Sequence, residues 1–260
     1  MKKIKMLVVT HKKYKFPDNE IYFPIQVNSS KSCNLGYQTD SDGENISNKN
    51  KNYCELTALY WAWKNLKCDY IGINHYRRYM SLKSKKEIKK AKTNEDKFNI
   101  ILSQKEIEEQ MKHYDVLAPK TNLYIKNVYS KYAQQHHIKD LDNCRKIIAS
   151  KSPEYIEAFD KVMKQKSYYI CNMCVMSKNL FDKYCEWLFD VLFELEKITD
   201  LTSYSPLQKR IYGFLSERLF NVWIEYNNLN IKSVNMVSLE HDNLKAIIKK
   251  ATRRILHKKS

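Results

Sequence analysis

Short apolar runs alternate along this chain with segments whose apolar residues recur at helical spacing. The runs at 4–10, 69–75, 168–176 and 231–237 have the length and apolar content of buried strands. The segments between them have helical periodicity, and 178–198 is the longest. Strands that alternate with helices favour a three-layer α/β domain with a mixed, mostly parallel sheet over a helix bundle. We therefore predict one such domain over residues 1–240.

Glycine occurs only four times in 260 residues, at Gly36, Gly43, Gly72 and Gly213. Neither the glycine-rich loop of P-loop NTPases nor the G-x-G-x-x-G turn of dinucleotide-binding folds can be assembled from these positions. Any phosphate binding in this chain must therefore depend on side chains and helix ends.

The sequence predicts a cytoplasmic protein. No apolar run approaches the roughly 20 residues that span a bilayer, and the basic start is not followed by the apolar region and cleavage site of a signal peptide. Seven cysteines are scattered without metal-type spacing. The lone C-x-x-C of Cys171 and Cys174 is interpreted as a pair of buried thiols.

The formal net charge of +17 raises the alternative of a basic nucleic-acid-binding protein without enzymatic activity. Lysine greatly outnumbers arginine, a bias that an AT-rich genome produces without selection for charge. Binding of single strands also needs exposed aromatic rings beside a basic stripe. The four tryptophans lie in apolar helical segments and are expected in the core: Trp61, Trp63, Trp187 and Trp223. We therefore expect no nucleic-acid partner.

The most informative segment is 73–80, in which two adjacent arginines framed by tyrosines directly follow an apolar strand. In open α/β sheets, ligands bind beyond the carboxyl ends of the strands. A guanidinium group can bind phosphate oxygens through two parallel hydrogen bonds. We predict that His75, Arg77 and Arg78 face a diphosphate. The alternative, in which one arginine pairs with a carboxylate and the other is solvated, remains open.

The same segment resembles a known family. Residues 52–80, NYCELTALYWAWKNLKCDYIGINHYRRYM, are similar to the signature of a bacterial family found in capsular and exopolysaccharide gene clusters. That family pairs an N-x-x-E-L-T-x-x-Y-W helix with a strand that ends in H-Y-R-R-Y. Residues 10–12, 22–25 and 213–223 also fit it, whereas 171–176 depart from the more aromatic strand of its members. The resemblance implies a GT-A-like glycosyltransferase with a Rossmann-type nucleotide-sugar-binding domain.

The resemblance also implies the reaction and its partners. A hexose, galactose in its furanose or pyranose form, would move from a UDP-sugar donor to a glycan or a polyprenyl-diphosphate-linked acceptor during cell-surface polysaccharide synthesis. The residues expected to bind substrate lie at two strand ends and at the start of one helix: Thr10, His11, Lys12, Asn52, Glu55, His75, Arg77 and Arg78.

Glu217 is the candidate catalytic base, because it opens a late helix where GT-A enzymes often place this group. A structural carboxylate beside Arg218 is the alternative. Glu55 is the rival base, although its place three residues after a possible N-cap, Asn52, indicates a structural role.

No divalent metal is expected as a cofactor. Many GT-A enzymes hold a cation through a D-x-D motif at the strand end that here carries 75–78, and fixed arginines can neutralise a departing diphosphate instead. Manganese or magnesium remains an alternative through Asp40, Asp42 and Glu44. These acids lie in the long polar loop 28–52, where we expect mobility and solvated carboxylates.

Residues 241–260 combine an apolar helical face with dense lysine and arginine. They predict a basic amphipathic helix of the kind that lies on an anionic membrane. The protein would then be peripheral on the inner face of the plasma membrane. A solvated helix that docks on the domain is the alternative.

Overall fold

A computed structural model describes residues 2–28, 33–121 and 123–240. The strands of these residues form a single sheet in the order β3-β2-β1-β4-β5-β8-β6-β7. Their bounds are β1 Ile4–Thr10, β2 Tyr22–Gln26, β3 Gln38–Thr39, β4 Tyr70–His75, β5 Arg78–Ser81, β6 Val116–Pro119, β7 Val175–Ser177 and β8 Ile231–Ser238.

Helices fill most of the connections between the strands. Their bounds are α1 Asn50–Tyr53, α2 Leu56–Asn65, α3 Lys85–Lys90, α4 Asn94–Phe98, α5 Gln104–Gln110, α6 Val128–Gln135, α7 Ile138–Lys151, α8 Ile156–Lys164, α9 Lys178–Ile198 and α10 Ile211–Tyr226.

Three short helices of the charged segment after β5 begin at capping boxes. Ser84, Thr93 and Ser103 each accept a hydrogen bond from the backbone N–H three residues later. The acidic side chain at that later position bonds back to the cap residue. Because two unpaired backbone donors are satisfied at each start, helices of five to seven residues form where periodicity alone is weak.

The strand order reverses beside β1. β1 lies between β2 and β4, and both neighbours run parallel to it. The chain moves from β1 outward to β2 and β3, and then returns to β4 on the other side of β1. A reversal of this kind leaves a crevice at the carboxyl ends of the two strands that diverge from it. The crevice here lies beyond Thr10 and His75.

The other half of the sheet folds back on β4. β7 pairs antiparallel with the start of β4, and β5 forms a hairpin at its end, where His75 pairs with Arg78. Since β5, β8, β6 and β7 are themselves joined in that order, they close a ring with β4. Four strand pairings are parallel and four are antiparallel. The sheet is mixed as predicted, but parallel pairings do not predominate.

Both faces of the sheet are covered, as a three-layer arrangement requires. On β1, Leu7 and Val9 belong to a large core that includes residues of α2 and of α6 to α10. Met6 and Val8 face a smaller core that includes Ile107 of α5. The tryptophans were expected inside, and all four belong to the large core or pack against it, with Trp61 and Trp223 nearly inaccessible.

Two predicted elements are interrupted by backbone with positive φ. The helix expected from Asn52 is divided into α1 and α2 at Cys54, whose φ is 54°. Asn52 therefore lies inside α1, and Glu55, at the start of α2, makes no side-chain cap bond. The strand expected over 168–176 is reduced to β7, because Cys171 and Asn172 have φ values of 68° and 50°.

The expectation of solvated carboxylates in the loop 28–52 is wrong for Asp40. This side chain is fully buried and accepts a hydrogen bond of 2.5 Å from the Thr57 hydroxyl of α2. Glu44, four residues later, accepts a bond of 3.0 Å from the Tyr60 hydroxyl. The described part of the loop is thus fastened to α2.

No helix of the described residues is long and apolar enough to cross a membrane. The amphipathic helix predicted at 241–260 lies outside the described residues.

Candidate functional site

A cavity of about 560 Å³ opens at the carboxyl ends of β1 and β4. Its walls come from the end of β1, the β4–β5 turn, the junction of α1 and α2, the segment before β7 and the first turns of α10. The cavity therefore occupies the crevice that the strand order creates.

Seven of the nine predicted site residues line this cavity: Thr10, His11, Glu55, His75, Arg77, Arg78 and Glu217. Two are engaged elsewhere. Lys12 is exposed, with its ammonium nitrogen 5.4 Å from the centre of the Tyr76 ring. Asn52 donates a hydrogen bond of 2.7 Å to the Lys209 carbonyl, so it joins α1 to the segment before α10.

The end of β1 offers an imidazole rather than a hydroxyl. The Thr10 hydroxyl donates to the Lys12 carbonyl at 2.6 Å and so shapes the turn after the strand. His11 packs edge-on against Tyr76, with ring centres 5.3 Å apart. Partial burial, followed by the positive charges of Lys12, Arg77 and Arg210, lowers the pKa of His11. The imidazole is therefore neutral at physiological pH and can both donate and accept hydrogen bonds.

The two arginines of the β4–β5 turn are in different states. Arg77 forms an ion pair with Glu240, and its guanidinium carbon lies 4.7 Å from the centre of the Tyr76 ring. The polar contact of Arg78 is a weak bond of 3.8 Å to the Cys171 sulfur. The alternative left open by the sequence thus holds for Arg77, which pairs with a carboxylate. Arg78 lines the cavity and contacts a sulfur rather than a carboxylate.

A backbone corner at Cys171 and Asn172 forms the floor between these side chains. The Cys171 carbonyl oxygen lies 2.7 Å from Nε2 of His75. The Cys171 N–H donates to the Glu217 carboxylate at 3.2 Å. The Asn172 amide donates to Glu55 at 2.8 Å and to the Gly213 carbonyl at 3.2 Å. The corner therefore links β4, α2 and α10 at one point.

Glu217 lies in the second turn of α10, which begins at Ile211, and so does not open the helix as predicted. Its side chain is 22% exposed and accepts a bond of 3.1 Å from Arg218. Burial raises the pKa of Glu217 despite the attraction of Arg218, and Glu55 adds to the rise. A carboxylate of raised pKa inside a cavity is suited to accept a proton from a substrate.

Sequence reasoning missed Arg210, which also lines the cavity. Its Nε donates to the Cys54 sulfur at 3.1 Å, and its guanidinium carbon lies 5.7 Å from the centre of the Phe214 ring. With Lys51, four cationic side chains face the two carboxylates of Glu55 and Glu217. The cavity thus has an excess of positive charge, which favours an anionic ligand.

Within residues 2–28, 33–121 and 123–240, there is no group of three or more His, Cys, Asp or Glu side chains placed to hold a metal ion. Of the acids considered as alternative ligands, Asp42 accepts a bond of 2.6 Å from Gln38, and Asp40 and Glu44 bond to α2. Metal independence remains a prediction for a transfer assay.

Comparison with known proteins gives two matches. Residues 5–228 match the family described as "Domain of unknown function (DUF4422)". The chain is also similar to the apo structure of WbbM, a bifunctional glycosyltransferase, with a TM-score of 0.83 and 31% sequence identity. That match covers 92% of this chain and 46% of the other, so this chain spans about half of its length. No curated protein matches this sequence.

Proposed function

The chain belongs to the family described as domain of unknown function DUF4422, and we propose that it is a glycosyltransferase whose cavity takes a nucleotide-sugar donor. The observation that carries the proposal is the arrangement of Arg77, Arg78 and Arg210 around the crevice between β1 and β4. The similarity to a bifunctional glycosyltransferase over 92% of the chain supports the same activity.

The donor diphosphate would lie against the arginines. Arg78 and Arg210 each bond to a cysteine sulfur, a weak acceptor that phosphate oxygens displace readily. The nucleoside would then extend toward the end of β1, where His11 offers a neutral imidazole and Tyr76 an aromatic ring. This placement keeps the negative charge at the basic part of the cavity.

Glu217 would act as the base in an inverting transfer. The acceptor hydroxyl oxygen attacks the anomeric carbon of the donor sugar, and its proton passes to Glu217. The bond from that carbon to the diphosphate oxygen breaks, and the arginines stabilise the charge that the diphosphate gains. The raised pKa of Glu217 supports the proton transfer, because the pKa of this carboxylate then lies closer to physiological pH.

The resemblance to polysaccharide-cluster enzymes supports finer assignments. We propose UDP as the nucleotide, a hexose such as galactose as the sugar, and a glycan or a polyprenyl-linked acceptor at the cytoplasmic face of the membrane. Arginine side chains can neutralise the charge that the departing diphosphate gains, and this supports transfer without a divalent metal.

The test combines donor hydrolysis with thermal stability. The protein is incubated with a panel of nucleotide sugars, in chelator and then with added manganese, and slow hydrolysis of the preferred donor is followed. UDP is expected to raise the melting temperature, since a ligand that binds only the folded state stabilises it. Stabilisation by a single-stranded oligonucleotide but not by any nucleotide sugar would replace this proposal with nucleic-acid binding. Activity that requires manganese would refute metal independence alone.

A further inference from the structure

Two aliphatic side chains project into solvent from the loop at 123–127, between β6 and α6. Leu123 is 82% exposed and Ile125 is 95% exposed, more than any other large apolar side chain of the described residues. Tyr124 between them is half-buried and points inward, since its ring centre lies 6.2 Å from that of Tyr168. Single exposed apolar residues are ordinary, whereas two at one loop tip form a small apolar patch.

The surroundings of this patch are basic. The loop and the start of α6 carry Lys120, Lys126 and Lys131, and 120–131 contains no aspartate or glutamate. The segment paired with it, 164–169, adds Lys164 and Lys166 and also lacks acids. At the start of α6 the Tyr129 hydroxyl donates to Asp142 at 3.0 Å, and the Lys131 ammonium lies over the Tyr124 ring. Aliphatic tips within a field of lysines are typical of surfaces that contact anionic lipid.

The loop is held firmly to the segment that leads to the cavity. The Tyr124 N–H donates to the Lys166 carbonyl at 2.8 Å, and the Thr121 N–H donates to the Tyr168 carbonyl at 2.9 Å. Cys171, at the cavity floor, is three positions along the chain from Tyr168, a span of at most about 11 Å. The Tyr168 hydroxyl also accepts a bond from Arg218, the neighbour of Glu217. The loop is therefore joined directly to the segment that leads to the cavity.

We propose that the 123–127 loop docks on an anionic membrane surface, with Leu123 and Ile125 inserted among the lipids and the surrounding lysines on the headgroups. The docking is separate from the proposed transferase activity, and it involves residues other than the basic segment 241–260. It places the cavity close to the bilayer, which suits an acceptor carried on a lipid.

The test uses the full chain and vesicles of phosphatidylcholine with or without phosphatidylglycerol at low salt. The double variant Leu123→Ser and Ile125→Ser is expected to bind the anionic vesicles about tenfold more weakly than the unsubstituted protein. Ile198→Ser is the matched control, because Ile198 is 59% exposed at the end of α9. Equal binding by the double variant, or no binding by any of these proteins, overturns the proposal.

Direct insertion has its own readout. The chain has four tryptophans, so the signal is the fluorescence that Ile125→Trp adds to theirs. On anionic vesicles this added fluorescence is expected to shift to shorter wavelength and to be quenched by brominated lipids. The fluorescence added by Ile198→Trp is expected to do neither. Sedimentation without this quenching would assign membrane binding to another segment and overturn the proposal. UDP binding, measured without lipid, is expected to be unchanged in the serine double variant. Failure of the docking is therefore distinguishable from failure of the donor site.

Discussion

Removing Arg78 is expected to weaken UDP binding much more than removing Arg77. Arg78 gives up a weak bond of 3.8 Å to sulfur when it turns to a diphosphate. A charge-assisted hydrogen bond contributes about 1.5–3 kcal/mol, which corresponds to a loss of roughly 10- to 150-fold in affinity for Arg78→Ala. Arg77 is already paired with Glu240, and their side chains are 36% and 54% exposed. A group that is so exposed and already paired adds about 1 kcal/mol or less to the binding of UDP. Arg77→Ala is therefore expected to lose at most about fivefold in affinity.

Isothermal titration calorimetry with UDP measures both losses, and circular dichroism and melting curves show whether each variant folds. Arg145→Ala is the matched control, because the Arg145 side chain is 43% exposed and pairs with Asp160 away from the cavity. It should bind UDP as the unsubstituted chain does. Glu240→Gln is expected to bind UDP as tightly or more tightly, since it releases Arg77. An equal or larger loss for Arg77→Ala would refute the argument from pairing, and unchanged affinity in Arg78→Ala would remove that residue from the site.

Further predictions concern the cavity floor and the sheet. Burial raises the pKa of Glu217, so its contribution to stability falls as pH rises through that pKa. Glu217→Gln should abolish transfer, because it removes the proposed base. The variant should also melt no lower than the unsubstituted protein at about pH 8, and any gain in melting temperature should disappear below about pH 4. Scanning calorimetry over a range of pH measures this. Gly72→Ala should cost about 1–3 kcal/mol in urea unfolding, because the added Cβ overlaps the Met6 sulfur, and Met6→Ala should recover part of that loss. Asn172→Ala should be less stable than Asn172→Gly by about 1 kcal/mol in the same assay, since only glycine adopts positive φ without strain. A lower melting point for Glu217→Gln at high pH, additive losses for the glycine and methionine changes, or equal stability of the two Asn172 variants would contradict these expectations.

The elements predicted well are those with local signals. β1 and α9 have the bounds read from the sequence, because an apolar run and a sustained helical period are complete within each segment. The breaks at Cys54 and Cys171 carry no such signal in the cysteines themselves, since cysteine rarely adopts positive φ. Asn172 is the one hint, because asparagine tolerates that conformation better than most residues. The return of β7 to β4 depends on a pairing across about a hundred residues, which periodicity cannot reveal.

The site shows the same division. The rule that ligands bind beyond strand ends led to His75 and Arg78, which do line the cavity. Arg210 was missed because it reaches the cavity through the packing of α10, far along the chain from the other arginines. Asp40 looked solvated because its neighbours are polar, while its hydrogen bond to Thr57 belongs to a tertiary contact. Side chains at the ends of local elements were thus predictable, and those delivered by packing were not.

The ring formed by β4, β5, β8, β6 and β7 also governs how the protein can associate. Every strand of the described residues pairs with at least two others except β3, which is two residues long. Open strand edges are where polypeptides add to one another, in aggregation as well as in recognition. Among the described residues, β3 is the only strand with a single partner strand, so a neighbouring chain or a further domain finds no long, fully open edge strand to extend. We therefore expect assembly with other proteins to depend mainly on side chains of helices and loops rather than on strand addition.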